Sequence, residues 1–303
     1  MAAPQSGILP PGNSHALFVT LLLNAGRSAM AQAGAACRAV PRLTRELAAT
    51  CPEAQLGSVV GIAAQAWERL FTGPRPRHLH PFVAQHEGER HAPATPVDVL
   101  LHIRSERADV NYLLAKAVMS AFGKSVVVAE DIAGFRYLDN RDLTGFVDGT
   151  ANPQGEERAA VALVADDPPF AGGSYVHLQR YVHNLAAWEQ LPVAQQESVI
   201  GRTKAGDVEL DDDSKPPTAH IARVEIEEQG EELELLRHSM PYGGAREAGL
   251  VFVAYGRSPH AFETMLARMI HADAAGHYDH LMRYTRAVTG ALCFAPPLDF
   301  LDG

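Results

Sequence analysis

Residues 98–130 read DVLLHIRSERADVNYLLAKAVMSAFGKSVVVAE and carry the clearest structural signal in the chain. Asp98–Arg104 is an apolar run of strand length. Val110–Phe122 has apolar residues at helical spacing behind an expected N-cap, Asp109, and Ser125–Glu130 returns to strand. Toward the N-terminus, His15–Asn24 (HALFVTLLLN) and Leu56–Ala63 (LGSVVGIA) are two further strands. An Ala-rich helix, Ser28–Thr50, joins them, with an interruption expected near Pro41. The stretch between Thr72 and Pro96 is rich in Pro and His and is expected to be loop. The resulting order, β-α-β-β-α-β, is that of the ferredoxin-like motif.

After a loop around residues 140–155 the order roughly recurs. Strands are expected at Ala159–Ala165, Ser174–Val182, Ala219–Glu227, Leu233–Ser239 and Gly249–Gly256, and helices at Leu185–Glu189, Val193–Ile200, His260–Ile270 and Asp279–Val288. No sequence repeat accompanies this duplication of pattern. The expectation is therefore an α+β chain of two ferredoxin-like units, residues 1–140 and 141–303.

The chain has 303 residues, room for one large or two modest domains. Its 47% hydrophobic and 20% charged residues exclude a disordered or collagen-like chain. Lysine and arginine number 26 against 36 acidic residues, a net charge of −10 that repels phosphate backbones and argues against nucleic acid. The longest apolar run, Ala16–Leu23, falls far short of the roughly 20 residues of a membrane helix. No basic stretch followed by an apolar one opens the sequence, so no secretory signal is expected. Three cysteines without a CxxC argue against a disulfide scaffold or a structural zinc site. A soluble, cytoplasmic protein is expected.

Histidine is abundant, with fourteen copies. The spacing of His78, His80, His86 and His91 matches no helical or zinc-ribbon ligand pattern and reads as a solvated loop. His271, Asp273, His277, Asp279 and His280 are denser, and their Ala-Ala-Gly centre reads as a turn between helices, with a divalent-ion site as the other use. The acidic run Glu209, Asp211, Asp212 and Asp213 lacks the glycine and alternation of a calcium loop. No GxSxG, P-loop, GxGxxG or HExxH occurs, so several large enzyme classes lose their usual signature.

Three segments remain. In Arg141–Thr150 (RDLTGFVDGT), Asp148 stands between an apolar run and Gly149, which alone is a strand end and an Asp-Gly turn. In Pro216–Glu225 (PPTAHIARVE), His220 alone is a packing residue of a strand. In Leu235–Gly243 (LLRHSMPYG), alternation sends Arg237 and Ser239 to one face. Taken in order, GFVDGTANP, IGRTK (Ile200–Lys204), PPTAHIARV and LLRHSMPYG resemble the dye-decolourising peroxidases, haem enzymes of the dimeric α+β barrel fold, and most closely their class B, YfeX-like branch. The resemblance runs from Gln5-Ser-Gly-Ile-Leu-Pro10 to Phe294-Ala-Pro-Pro-Leu-Asp299.

The resemblance implies one haem b per chain, hydrogen peroxide as oxidant and organic donors such as dyes, phenols or porphyrinogens, with a ferryl state between them. By position, His220 is expected to be the proximal ligand of the haem iron, and Asp148 and Arg237 the distal catalytic pair. Arg202 would partner a haem propionate, while Arg237, Ser239 and Thr150 would contact the cofactor. Many class B relatives carry asparagine where Ser239 stands; YfeX-like members carry serine. The carboxylate expected behind His220 is Asp279, with Asp273 as its rival. Asp148 would move the peroxide proton and Arg237 would stabilise the departing oxygen while holding Asp148 ionised. Bulky donors would pass electrons through surface aromatics, for which Trp188, Tyr181 and Tyr284 have the right side chains.

Two other readings compete. One is a haem-handling protein that carries haem or releases its iron, against which a distal acid–base pair argues. The other is a haem-free α+β oligomer with a different small ligand. Homo-oligomerisation is expected from the resemblance. Because little chain follows Leu298, docking inside an encapsulin shell is not expected.

Overall fold

A computed structural model describes residues 3–302, so the outermost ends of the two expected units lie outside the described residues. The first half contains strand β1 (His15–Leu23), helix α1 (Arg27–Thr50), strands β2 (Gly57–Ala63) and β3 (Val99–Ser105), helix α2 (Ala108–Phe122) and strand β4 (Val126–Phe135). The second contains β5 (Ser174–His183), the short helix α3 (His220–Val224), β6 (Leu236–Arg237), β7 (Met240–Gly243), β8 (Ala248–Gly256), helix α4 (His260–Ile270), β9 (Thr285–Ala287) and β10 (Ala291–Ala295).

The strands form one antiparallel sheet in the order β6-β8-β5-β10-β2-β3-β1-β4, with β7 also beside β8 and β9 beside β5. In the first half β1 lies between β4 and β3, with β2 outside. In the second, β5 lies between β10 and β8, with β6 and β7 outside. Both halves thus have the ferredoxin-like strand order, and they join where Cys293 and Phe294 of β10 face Ala63 and Ile62 of β2. The sheet curls until Gly134 of β4 meets Met240 of β7, where a Cβ would stand 2.8 Å from the Met240 Cβ. The fold is a two-unit α+β barrel.

Strand alternation sets which side chains fill it. Phe18, Val59, Leu100, Leu178, Val253 and Tyr255 pack inside the barrel. Val19, Leu21, Val60, Leu101 and Ile103 point outward and are covered by Ala33, Cys37 and Val40 of α1 and by Val110, Leu114 and Val118 of α2. Helix α1 runs straight through Pro41 instead of breaking there. Burial of its inner face, with the Thr44 hydroxyl donating to Val40 O and paired with Ser58, outweighs the hydrogen bond that proline forfeits.

Several expected elements differ in the second half. Residues 219–227, expected as a strand, begin with helix α3, which lets His220, Ile221 and Val224 share one face. Residues 159–165, also expected as a strand, are largely the helix Glu157–Ala162. The strand expected at 233–239 shortens to β6, and the helix expected at 279–288 is a 3-10 turn, His280–Arg283, followed by β9. Strand β10 was not foreseen. In the first half, Arg107 and not Asp109 is the N-cap of α2, Asp109 instead accepting from the Arg107 guanidinium. The 72–96 loop contains a small hairpin that sets His86 opposite His91.

Candidate active site

Between the outer face of β5 and β8, helix α4, helix α3 and the loop of residues 142–151 lies a cleft of about 1520 Å³, counting its open mouth. Its walls are mostly apolar: Phe146 and Ile200 from the connecting segments, Ile221 from α3, Leu250 and Phe252 from β8, and Met265 and Met269 from α4. Leu250 and Phe252 are only half-buried, although they lie on a central strand.

His220 opens α3 after Pro216–Pro217, and its ring lines this cleft. Its Nδ1–H donates to Asp279 Oδ2 at 2.6 Å. Asp279 is fully buried, and its other carboxylate oxygen accepts from the backbone N–H of Leu281 at 2.9 Å. The Nε2 of His220 has no hydrogen-bond partner among the described residues. Asp273, the rival carboxylate, is committed elsewhere, to Arg223 at 3.1 Å and to the backbone N–H groups of Ala275 and His277. The dense set His271–His280 therefore divides among separate partners, with His271 beside Glu87 and His280 beside Arg283.

Asp148 and Arg237 face the same cleft. No salt bridge joins them within 4.0 Å, and the Arg237 guanidinium has no hydrogen-bond partner among the described residues. Burial raises the Asp148 carboxyl above the usual carboxylate range, and the charge of Asp142 adds to this; Arg237 and His220 pull the other way without prevailing. Arg237 thus acts on Asp148 in the expected direction, toward the ionised form, while desolvation is the larger influence. Asp142 itself stays below its ordinary range: burial pushes it up, but hydrogen bonds from His183 at 3.1 Å and from Thr144 win.

Arg202 and Thr150 also line the cleft, both tied to Asp207: Arg202 Nε at 2.9 Å and the Thr150 hydroxyl at 2.5 Å. Ser239 lies elsewhere. It lines a second, polar cavity, and its hydroxyl accepts from the Val253 N–H. The expected electron-entry aromatics are not all at the surface. Trp188 is 1% and Tyr181 6% exposed, the indole N–H donating to Thr144 O and the phenol to Gln179 Oε1; Tyr284 packs half-buried on Trp188.

Three residues went unnoticed in the sequence. Asn152 clamps the main chain of Arg237, accepting from its N–H at 2.8 Å and donating to its C=O at 2.7 Å, so one amide fixes the Asp148 loop to β6. Asp142 and His183 form the buried pair behind Asp148. Asn152 stood within the quoted GFVDGTANP, whereas nothing local marked His183, which follows a strand's apolar run.

The sequence and the architecture match known proteins. Residues 5–136 match the family model described as Dyp-type peroxidase, N-terminal, and residues 139–300 that described as Dyp-type peroxidase, C-terminal. A dye-decolorizing peroxidase of Mycolicibacterium paratuberculosis is 45% identical over 97% of this chain and 84% of its own. The encapsulated DyP-type peroxidase from Mycobacterium smegmatis is 42% identical, with a TM-score of 0.96 over 100% of this chain and 98% of that one. A variant of Rhodococcus jostii RHA1 DypB in complex with haem is 37% identical, with a TM-score of 0.95 over 99% of this chain and 98% of that one. Fold and sequence thus agree on the class: this protein is a peroxidase. More narrowly, it belongs to the Dyp-type peroxidase family. The encapsulation of the Mycobacterium smegmatis protein weighs against the expectation, drawn from the short segment after Leu298, that shell docking is unsupported, and that expectation is withdrawn.

Proposed function

We propose that the chain is a haem b peroxidase of the class B type that reduces hydrogen peroxide and oxidises organic donors. The observation that carries the reading is the His220–Asp279 pair at the wall of an apolar cleft into which Asp148 and Arg237 project unpaired. The cleft fits such a group on its own chemistry. It offers one imidazole nitrogen with a free lone pair, apolar walls for a flat macrocycle, and Arg202 as a cation for its carboxylates. The buried Gln179 amide also lines it, with its Nε2 left unpartnered. Bound haem would supply the redox centre that accepts oxidising equivalents from peroxide and delivers them to the donor.

The protein's own groups have separable tasks. His220 would hold the group through Nε2. Asp279, accepting the Nδ1 proton, fixes the tautomer and gives the imidazole anionic character, which strengthens it as a donor. Asp148 would accept a proton from one peroxide oxygen and return it to the other, so that the latter can leave as water when the O–O bond breaks; the two electrons for that cleavage are what bound haem would supply. A carboxyl raised by burial lies nearer the working pH than an ordinary one, which suits a group that must both accept and release the proton. Arg237, always cationic, stabilises the charge that gathers on the departing oxygen. A haem carrier has no use for such a pair.

The test is haem titration of the wild type and of His220→Ala. The variant is expected to lose most of the bound haem while keeping its far-UV circular dichroism. Full retention with an unchanged visible spectrum would remove His220 as the ligand.

A further inference from the structure

Beside the apolar cleft, and sharing Asp148, Gly149 and Arg237 with it, lies the polar cavity of about 1070 Å³ including its mouth. Its lining includes five arginines (Arg104, Arg136, Arg141, Arg158 and Arg237) and a single carboxylate, Asp148. Among the described residues only Arg141 of these five has a carboxylate within 4.0 Å, Asp139. This concentration of positive charge runs against a chain of net charge −10.

Two of the cations are deeply placed. Arg104 is 2% and Arg158 8% exposed. Arg104 donates to Asn13 Oδ1 at 2.6 Å, to Gly7 O at 3.2 Å and to Pro11 O. Arg158 donates to Leu9 O at 2.6 Å, Pro10 O at 2.8 Å and Pro153 O at 3.3 Å. These acceptors are neutral. They explain how residues 7–13 are pinned to the barrel, but they use three of the five N–H groups of each guanidinium; no carboxylate among the described residues touches either, and Glu106 reaches Arg104 only through Asn13, whose amide donates to it at 3.2 Å. A buried charge without a counter-ion is costly. Burial accordingly pulls the Arg104 guanidinium down to about 10 and lowers Arg158 as well.

A second, independent observation points the same way. His102 lies on the cavity wall, wholly buried and stacked on Phe18 at 4.7 Å. Its Nδ1 pairs with the Tyr255 hydroxyl at 2.7 Å, while its Nε2 has no partner among the described residues. When Tyr255 donates to Nδ1, the proton of His102 resides on Nε2, a neutral donor with nothing to receive it. Buried polar groups are nearly always satisfied, so an orphaned donor beside arginines that no carboxylate touches marks the place of an acceptor.

We propose that this cavity binds a small oxyanion, carboxylate or phosphate, held by the free N–H groups of Arg104 and Arg158 and by His102 Nε2. Planar guanidinium forks suit paired oxygens of this kind. The inference rests on these residues and not on the haem reading, so either can fail without the other.

The test is isothermal titration of haem-loaded protein with inorganic phosphate and, separately, with succinate, while the Soret band is watched for any ligation of iron. A selenate soak of crystals, located by anomalous scattering, gives the position. Saturable binding by either probe with an unmoved Soret band, and a selenate peak between Arg104 and His102, are expected. Phosphate alone, or succinate alone, would assign which oxyanion class the site takes. Arg104→Gln should weaken binding about tenfold or more, the worth of one charged hydrogen bond. Because Arg104 also pins residues 7–13, His102→Phe, which keeps the stack on Phe18, is the companion variant and should weaken binding several-fold. No binding of either probe at 10 mM, binding unchanged in His102→Phe, or selenate found only outside the cavity would overturn the proposal.

Discussion

The two halves of the barrel share one strand order and differ in what covers their outer faces. In the first, the 24 residues of α1 and the 15 of α2 seal the sheet, and the side chains beneath are almost wholly buried. In the second, the connection between β5 and β6 breaks into short helices and turns, and the only substantial helix on that face among the described residues is the 11-residue α4. Leu250 and Phe252 of β8 are left half-covered, and the cleft occupies the space where a second long helix would pack. The same topology thus serves as a core in one half and as a binding wall in the other. What separates them is the loss of regular helix from one crossover.

This contrast can be broken by substitution. The largest effect is expected from Arg237→Leu, which should slow the spectral change induced by peroxide about 10²-fold or more while haem stays bound. Stopped-flow absorbance reads it, and a wild-type rate would defeat the charge-stabilisation argument. Next comes Leu114→Ala, on the buried face of α2, which should lower unfolding free energy by about 2–5 kcal/mol in denaturant titration yet leave haem affinity alone. Coupled loss of haem would mean that the halves are not separable. Phe252→Ala should do the reverse, weakening haem retention with a smaller cost in stability than Leu114→Ala, because its ring is only half-buried without the cofactor.

The smallest effect concerns pH. Burial raises the Asp148 carboxyl, and the negative charge of Asp142 raises it further. The peroxide step needs ionised Asp148, so it is lost as pH falls through that raised value. Asp142→Asn removes a like charge and should move the acid limb to lower pH by about one unit or less. A limb that stays put or moves upward would show that Asp148 does not set it.

How much of this was legible depends on the half. Strands β1 to β4 and both helices announced themselves through long apolar runs and clean periodicity, because each buries a full face against a regular neighbour. The sequence around His220 misled because HIARV alternates well enough for a strand; its helical turn is set by the need of Ile221 and Val224 to share the cleft, with Arg223 anchored to Asp273 and Arg268 O behind. Asp148, His220 and Arg237 were found only through the order of several motifs, since each alone has an ordinary structural explanation. The choice between Asp279 and Asp273 required the backbone path after α4, eight residues of irregular chain (271–278) whose register no local pattern fixes. Ser239 lines the polar cavity beside Asp148 and Arg237 instead of the apolar cleft. β6 ends at Arg237, so strict alternation fails two residues later and the hydroxyl turns to the polar cavity.

The most direct test of the central claim is the visible spectrum of haem-reconstituted protein, recorded by stopped flow before and after one equivalent of hydrogen peroxide. A Soret band that shifts within milliseconds, in wild type but far more slowly in Arg237→Leu, is the result expected of a cleft whose distal side activates peroxide. A band that stays in place, or bleaches without an intervening spectrum, would contradict it and leave the cleft as a place where haem is held and not used.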